Sequence, residues 1–345
     1  MPFLHLPTDT ALDQVVDELT RRRLLGGGLA LGGFAIAGCG SDDPRADESR
    51  PARTRSFTDA TGDAVEIPQA PARIVSINDL LATRVLALGG SIVGLPTVGT
   101  DFRPEIADLF DLDDVTSLGP DPSVEAIAAL EPDLILVGAY KGEVYEGNTP
   151  VAQLRTVAPV VVLETFNAVE EATGIAAELL GNAATTSVEV LRSDFDDALG
   201  ELRDVLGESW SDVDTVVVRY DGPQAPLYVW APTSVPPTDV IDRMGVRWLP
   251  EVGAAEENGG DLELSLEEVG SLDCDLMIIA TAFQADDAPP PEELPVFAGL
   301  EAVRQGQVVK IDQSYFGVNY VTYSRLARKL AADIGRLGAI ATDLV

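Results

Sequence analysis

Ser123-Val-Glu-Ala-Ile-Ala-Ala-Leu-Glu-Pro-Asp-Leu-Ile-Leu-Val-Gly138 aligns without a gap on Ser265-Leu-Glu-Glu-Val-Gly-Ser-Leu-Asp-Cys-Asp-Leu-Met-Ile-Ile-Ala280. Ser, Glu, Leu, Asp and Leu recur at matching places over a constant offset of 142 residues, Ser123 to Ser265. Each copy opens on a Ser suited to cap a helix and closes on an apolar run of strand length. At the same offset Ile74-Val75 falls on Val216-Val217, inside the apolar stretch Thr215–Arg219. Any cap–helix–strand unit could look like another, but two separate segments sharing one offset favour a chain built of two related halves.

Around the first copy, Phe57–Pro68 alternates about a Gly62-Asp63 turn, which is a hairpin pattern. Arg73–Ser76 reads as a short buried strand and Asp79–Leu88 as a helix stopped by Gly89-Gly90. Ser123–Leu130 reads as a helix, and Asp133–Val137 and Val157–Leu163 as further strands. Alternation of this kind implies a parallel sheet covered on both faces. Between the halves, Val188, Leu191, Phe195, Ala198, Leu202 and Val205 recur at three- and four-residue spacings, with charged residues on the other faces. That spacing predicts one amphipathic helix over 183–206, about 35 Å long at a rise of about 1.5 Å per residue. The expected fold is α/β: two Rossmann-like lobes with mostly parallel central sheets, joined by one long α-helix.

The chain has 345 residues, with 23 Lys+Arg against 57 Asp+Glu and a net charge of −34. A polyanion repels phosphate backbones, which argues against nucleic-acid binding. A hydrophobic content of 46% suits a packed globule. The sole His is His5. No Gly-x-Ser-x-Gly elbow, phosphate loop or metal-ligand cluster is present. An exported carboxylate-dependent hydrolase remains the rival from another class, because Asp and Glu are abundant.

Thr20-Arg21-Arg22-Arg23-Leu24-Leu25 opens an apolar, Gly-rich stretch running to Gly38. It is shorter than the roughly twenty residues a spanning helix needs. A positive flank, an apolar middle and small residues before Cys39 have the layout of an export signal. The arginines resemble a twin-arginine signal, and Ile36-Ala37-Gly38-Cys39 resembles a lipobox, which implies lipidation of Cys39 and anchorage at the outer face of the cytoplasmic membrane. The expected organisation is a signal peptide over 1–38, a flexible tether over 39–56, an N-terminal lobe over 57–182, the connecting helix over 183–206 and a C-terminal lobe over 207–345. Cleavage before Cys39 leaves 307 residues without His, and so without imidazole for triads, zinc or haem. Cys274, between Leu272 and Leu276, reads as a buried small hydrophobe with no disulfide partner.

Lipobox, then Arg73-Ile-Val-Ser76 with Arg84-Val-Leu-Ala-Leu-Gly89, then Ser123-x-Glu-x-Ile-x-x-Leu-x-Pro-Asp-Leu-Ile135, resembles the iron-siderophore and cobalamin class of ABC-transporter substrate-binding proteins. Val240–Gly245, Leu264–Val269 and Ala302–Val309 agree, so the likeness spans about residues 57–338. The resemblance implies two α/β lobes with a ligand cleft between them. It implies delivery of a ferric siderophore or similar chelate to an ABC permease and its ATPase, by a monomer that does no chemistry. Cobalamin or haem is the alternative ligand within the class. No cofactor is implied, and Fe(III) is expected only inside the bound chelate, with no metal held directly by the protein.

Ligands of open α/β sheets sit beyond the carboxyl ends of strands. In the first lobe those positions hold Asn78, Arg103, Tyr140 and Lys141, with Arg84 nearby; in the second they hold Arg219, Tyr220, Trp230, Phe283, Tyr315 and Tyr320. Aromatic faces suit a chelate's exterior, and Arg or Lys suits its oxygens. Each has a plainer alternative. Tyr140, Trp230 and Phe283 could cap the sheets, Arg84 could snorkel from beside Leu80 and Leu88, and Arg103 and Lys141 could be solvated loop charges. Glu125 and Glu267 occupy equivalent places in the two copies. The resemblance implies that they dock onto permease arginines, while a helix-dipole role would also suit them.

Overall fold

The computed structural model describes residues 53–97, 103, 105–145, 149–281 and 289–337. Strands β1 (Thr54–Thr58) and β2 (Ala64–Pro68) form the expected hairpin. The buried Asp59 carboxylate accepts from Thr61 N at 2.9 Å within the turn and from Val162 N at 3.3 Å, which ties the hairpin to the first sheet. β1 begins at Thr54, inside the stretch read as tether.

The first lobe continues through β3 (Ile74–Ser76), helix α1 (Asp79–Ala87), β4 (Ile92–Leu95) and β5 (Thr116–Ser117), then α2 (Val124–Ala128), β6 (Leu134–Tyr140), β7 (Glu143–Val144), β8 (Val160–Glu164) and α3 (Val169–Leu180). Asn78 caps α1 by accepting from Leu81 N, and Ser123 caps α2 by accepting from Ala126 N, both at 3.2 Å. Strands run β5-β4-β3-β6 with β8 on the free side of β6, all parallel; only β7 is antiparallel. Successive strand residues face opposite ways. Ile74, Leu134 and Leu136 therefore pack with Leu81 and Leu179, while Val75, Ile135 and Val137 pack with Ile127 and Leu154. Each such buried side chain contributes about 1.5–3 kcal/mol.

Helix α4 (Val188–Leu206) then leads to β9 (Asp214–Tyr220), β10 (Leu227–Trp230), α5 (Pro236–Asp242), β11 (Arg247–Trp248), α6 (Pro250–Glu257) and β12 (Asp261–Leu264). A 3-10 turn over Glu268–Ser271 precedes β13 (Leu276–Thr281), β14 (Val308–Asp312) and the final helix α7 (Tyr320–Arg336). The strand order is β12-β10-β9-β13-β14, with β11 also on β9. β13, β14 and β11 run parallel with β9, whereas β10 is antiparallel to both its neighbours. The internal echo is structural: β3 pairs with β6 as β9 pairs with β13, each in parallel. The copies differ by one residue of register, since Ile74 faces Leu134 while Val216 faces Met277. The second copy also replaces a helix with the 3-10 turn.

The connecting helix starts five residues later than its spacing predicts. Thr185 and Thr186 donate their backbone N–H groups to the Leu88 carbonyl, and Gly181–Ala183 forms its own 3-10 turn. The remaining 19 residues span about 28 Å. α7 lies along this helix: Phe195 meets Tyr320 at 5.8 Å and Tyr323 at 5.4 Å, and Arg328 pairs with Asp194 at 2.7 Å. Ile106, Val169 and Ala172 of the first lobe join one apolar cluster with Phe195, Trp230 and Phe316, so the seam between lobes is itself a core. Among the described residues no helix is long and apolar enough to cross a membrane.

Candidate functional site

Four rings run from one lobe to the other. Tyr140 ends β6, and Phe166 follows β8 by two residues; their rings meet edge-on at 5.8 Å. Phe166 meets Phe316 at 6.5 Å, and Phe316 meets Trp230 at 5.3 Å. Parallel strands ending side by side deliver Tyr140 and Phe166, while the 3-10 turn after β14 delivers Phe316. Lys141 sits at a left-handed φ of 52°, in a turn held by Gly142 N donating to Glu164 Oε1 at 2.9 Å. Its Nζ lies 5.0 Å from the Tyr140 ring centroid. A Cβ on Gly260 would stand 3.8 Å from that Nζ, so the lysine reaches the second lobe. Gly260, at a φ of 124°, accepts from Ala231 N at 3.0 Å directly after Trp230.

Arg219 shares this side of the second sheet. Its guanidinium stacks over Tyr228 at 4.7 Å and bonds Asp221 Oδ2 through Nε at 2.6 Å and through Nη2. The hydrogen bonds it donates to Asp221 hold its pKa above the ordinary value against partial desolvation.

Several expected contacts are spent elsewhere. Tyr220 adjoins Arg219 in β9 and therefore faces the opposite way. It packs edge-on against Phe297 at 6.1 Å and donates to the Pro289 carbonyl at 3.1 Å. Tyr320 is buried against Phe195, and Tyr315 is buried with its hydroxyl donating to Glu105 Oε2 at 3.3 Å. Arg84 is 1% exposed; it donates to the Glu164 carbonyl at 2.9 Å and to the Thr165 carbonyl, and burial lowers its pKa to about 10. Arg103 pairs with Asp79 at 2.9 Å and donates to the Gln313 carbonyl, bridging the lobes. Besides capping α1, Asn78 lies against Gly138, where a Cβ would come within 2.5 Å of its Nδ2. Phe283 and Cys39 lie outside the described residues. Cys274 is buried as expected, with burial foremost in pushing its thiol up to about 12.

A family model described as periplasmic binding protein matches residues 86–315. The chain belongs to the periplasmic binding protein family. It is 27% identical over 299 residues to the "Probable siderophore-binding lipoprotein YfiY" of Bacillus subtilis (strain 168), covering 81% of this chain and 87% of that one. It superposes on the FhuD protein from S. pseudintermedius with a TM-score of 0.64 at 21% identity, covering 83% of this chain and 98% of that one. It superposes on DesE, a ferric-siderophore receptor protein from Streptomyces coelicolor, with a TM-score of 0.62 at 22% identity, covering 81% and 97%. These structures share the two-lobed fold.

In this periplasmic binding protein Glu125 and Glu267 are both exposed. Glu125 borders a shallow hollow with Val124, Ala128 and Thr156, and Glu267 borders another with Pro226, Ser265 and Leu266. Capping falls to other groups: Ser123 caps α2, and Glu268 accepts from Ser265 N at 2.9 Å and Ser265 Oγ at 2.8 Å. Neither Glu125 nor Glu267 is needed to hold its turn.

Phe166, Tyr228 and Asp221 are absent from the reading of strand ends, whereas Phe316 lies inside the stretch 315–320 that the reading covers. Phe166 had a signal, since it follows β8 at its carboxyl end.

Proposed function

We propose that this protein is the extracytoplasmic binding component of an ABC importer, capturing a ferric-siderophore complex and passing it unchanged to a membrane permease driven by an ATPase. The observation that carries the reading is the aromatic file Tyr140–Phe166–Phe316–Trp230, supplied by both lobes and edged by Lys141. A bulky chelate with an apolar exterior gains from the half-buried Tyr140 and Phe166 rings, which the buried Phe316 and Trp230 back from the second lobe. Iron arrives already enclosed in its chelator, so the protein contributes no metal ligand and needs no cofactor. The names of YfiY and DesE support the siderophore reading.

Residues 1–38 serve as a twin-arginine-type signal, 39–53 as the tether, 54–182 and 207–345 as the lobes, and Cys39 as the lipidation point at the outer face of the membrane. One chain supplies both walls of the cleft, which suits a monomer. Glu125 and Glu267, one exposed acid per lobe at equivalent positions, present paired anionic contacts to a pseudo-symmetric permease.

Titration of the full chain with ferrioxamine B, followed by Trp fluorescence, tests the reading. Saturable one-to-one quenching is expected, because Trp230 borders the cleft. Failure of ferric siderophores of every class to bind would falsify it.

A further inference from the structure

We infer that the cleft selects ferric chelates of zero or positive net charge, the tris-hydroxamate class, and rejects trianionic tris-catecholates. The inference rests on the siderophore reading above and deepens it. Arg219 is matched by Asp221, with two hydrogen bonds to one carboxylate oxygen. Asp261, in β12 opposite Trp230, adds a second acid felt by the same guanidinium. Arg103 is engaged by Asp79 and the Gln313 carbonyl, and Arg84 is buried on two backbone carbonyls. Lys141 has no carboxylate partner among the described residues; its Nζ faces the Tyr140 ring. Lys141, Arg219, Asp221 and Asp261 together sum to zero charge.

Lys141 can match one negative charge; a trianion would have to displace Asp221 from Arg219 for the next or leave its charge unmatched in a partly desolvated site, and both are costly. Three hydroxamates, each giving up one proton, cancel the charge of Fe(III), whereas three catecholates, each giving up two, leave three negative charges. The net charge of −34 acts in the same direction at longer range, raising the barrier to approach for anions.

Fluorescence titration of the full chain with ferrioxamine B, a cationic tris-hydroxamate, and with ferric enterobactin, a trianionic tris-catecholate, decides the matter. Ferrioxamine B is expected to bind at least about tenfold more tightly, which corresponds to about 1.4 kcal/mol. Equal or tighter binding of ferric enterobactin overturns the inference while leaving the siderophore reading in place. Binding of neither overturns the inference, and the siderophore reading falls with it when ferric siderophores of the remaining classes also fail to bind. Asp221→Asn frees the Arg219 charge and is expected to narrow the preference by about tenfold; an unchanged ratio in a folded variant counts against the assignment of Asp221.

Discussion

Arg84 Nη1 donates to the Glu164 carbonyl at 2.9 Å, joining the first helix to the end of the strand that carries Phe166. A second nitrogen of the same group holds the Thr165 carbonyl. The arginine expected to touch the ligand instead fixes the backbone from which the Phe166 ring projects. Arg84→Ala leaves two carbonyls without donors inside a packed seam and is expected to cost about 3 kcal/mol. Arg84→Lys, with a point charge in place of a fork, should recover part of that. Urea unfolding measures both; a loss below about 0.5 kcal/mol for the Ala variant would contradict the role.

Phe166→Ala and Phe316→Ala are each expected to weaken ferrioxamine B binding about tenfold or more, from lost ring contact. Tyr220→Phe and Tyr320→Phe, altering rings buried in the core, should leave affinity within about twofold. Calorimetric titration of the four variants checks the division. Loss of binding in the tyrosine variants with retention in the phenylalanine variants would reverse it.

Alkaline pH should destabilise the fold. Burial leads the causes that raise the pKa of Tyr220, Tyr315, Tyr320 and Tyr323 above the ordinary 10. Above pH 10 the unfolded chain therefore loses phenolic protons that the folded chain keeps. Their contribution is complete below pH 10 and is lost progressively above it. Arg84 works in the opposite sense above about pH 10, because its folded pKa lies below its ordinary value. One group against four does not reverse the trend. The urea midpoint is expected to fall between pH 8.5 and about pH 11; a midpoint that stays level or rises would contradict burial of these hydroxyls.

Much of the fold was legible because its signals are local. Asn78 and Ser123 mark helix starts, Gly89-Gly90 marks a stop, and the offset linking Ser123 to Ser265 exposes the two lobes before any contact is known. The site was less legible because its decisive facts are long-range. Nothing near Arg84 reveals that a strand end 80 residues away will take its hydrogen bonds, or that Arg103 will reach residue 313. One error was avoidable in principle: Arg219 and Tyr220 are neighbours in a strand, so both could not face one cleft. The antiparallel β10 was also hidden, since its pairing depends on the hairpin geometry after β9 and not on apolar content.

Glu125→Ala combined with Glu267→Ala should leave ferrioxamine B affinity unchanged, because the hollows they border share no residue with the aromatic file. Uptake of labelled iron by cells carrying the double variant is expected to fall to background, as both permease contacts are removed. Normal uptake with weakened binding would mean that the two surfaces are exchanged.

Hydrogen exchange of the full chain, with and without ferrioxamine B, locates the bound ligand most directly. Added protection is expected in both lobes together, at 140–142 and 164–167 on one side and at 228–231 and 315–317 on the other. Protection confined to a single lobe, or centred on the outer hollows at Glu125 and Glu267, would contradict a ligand held between the lobes.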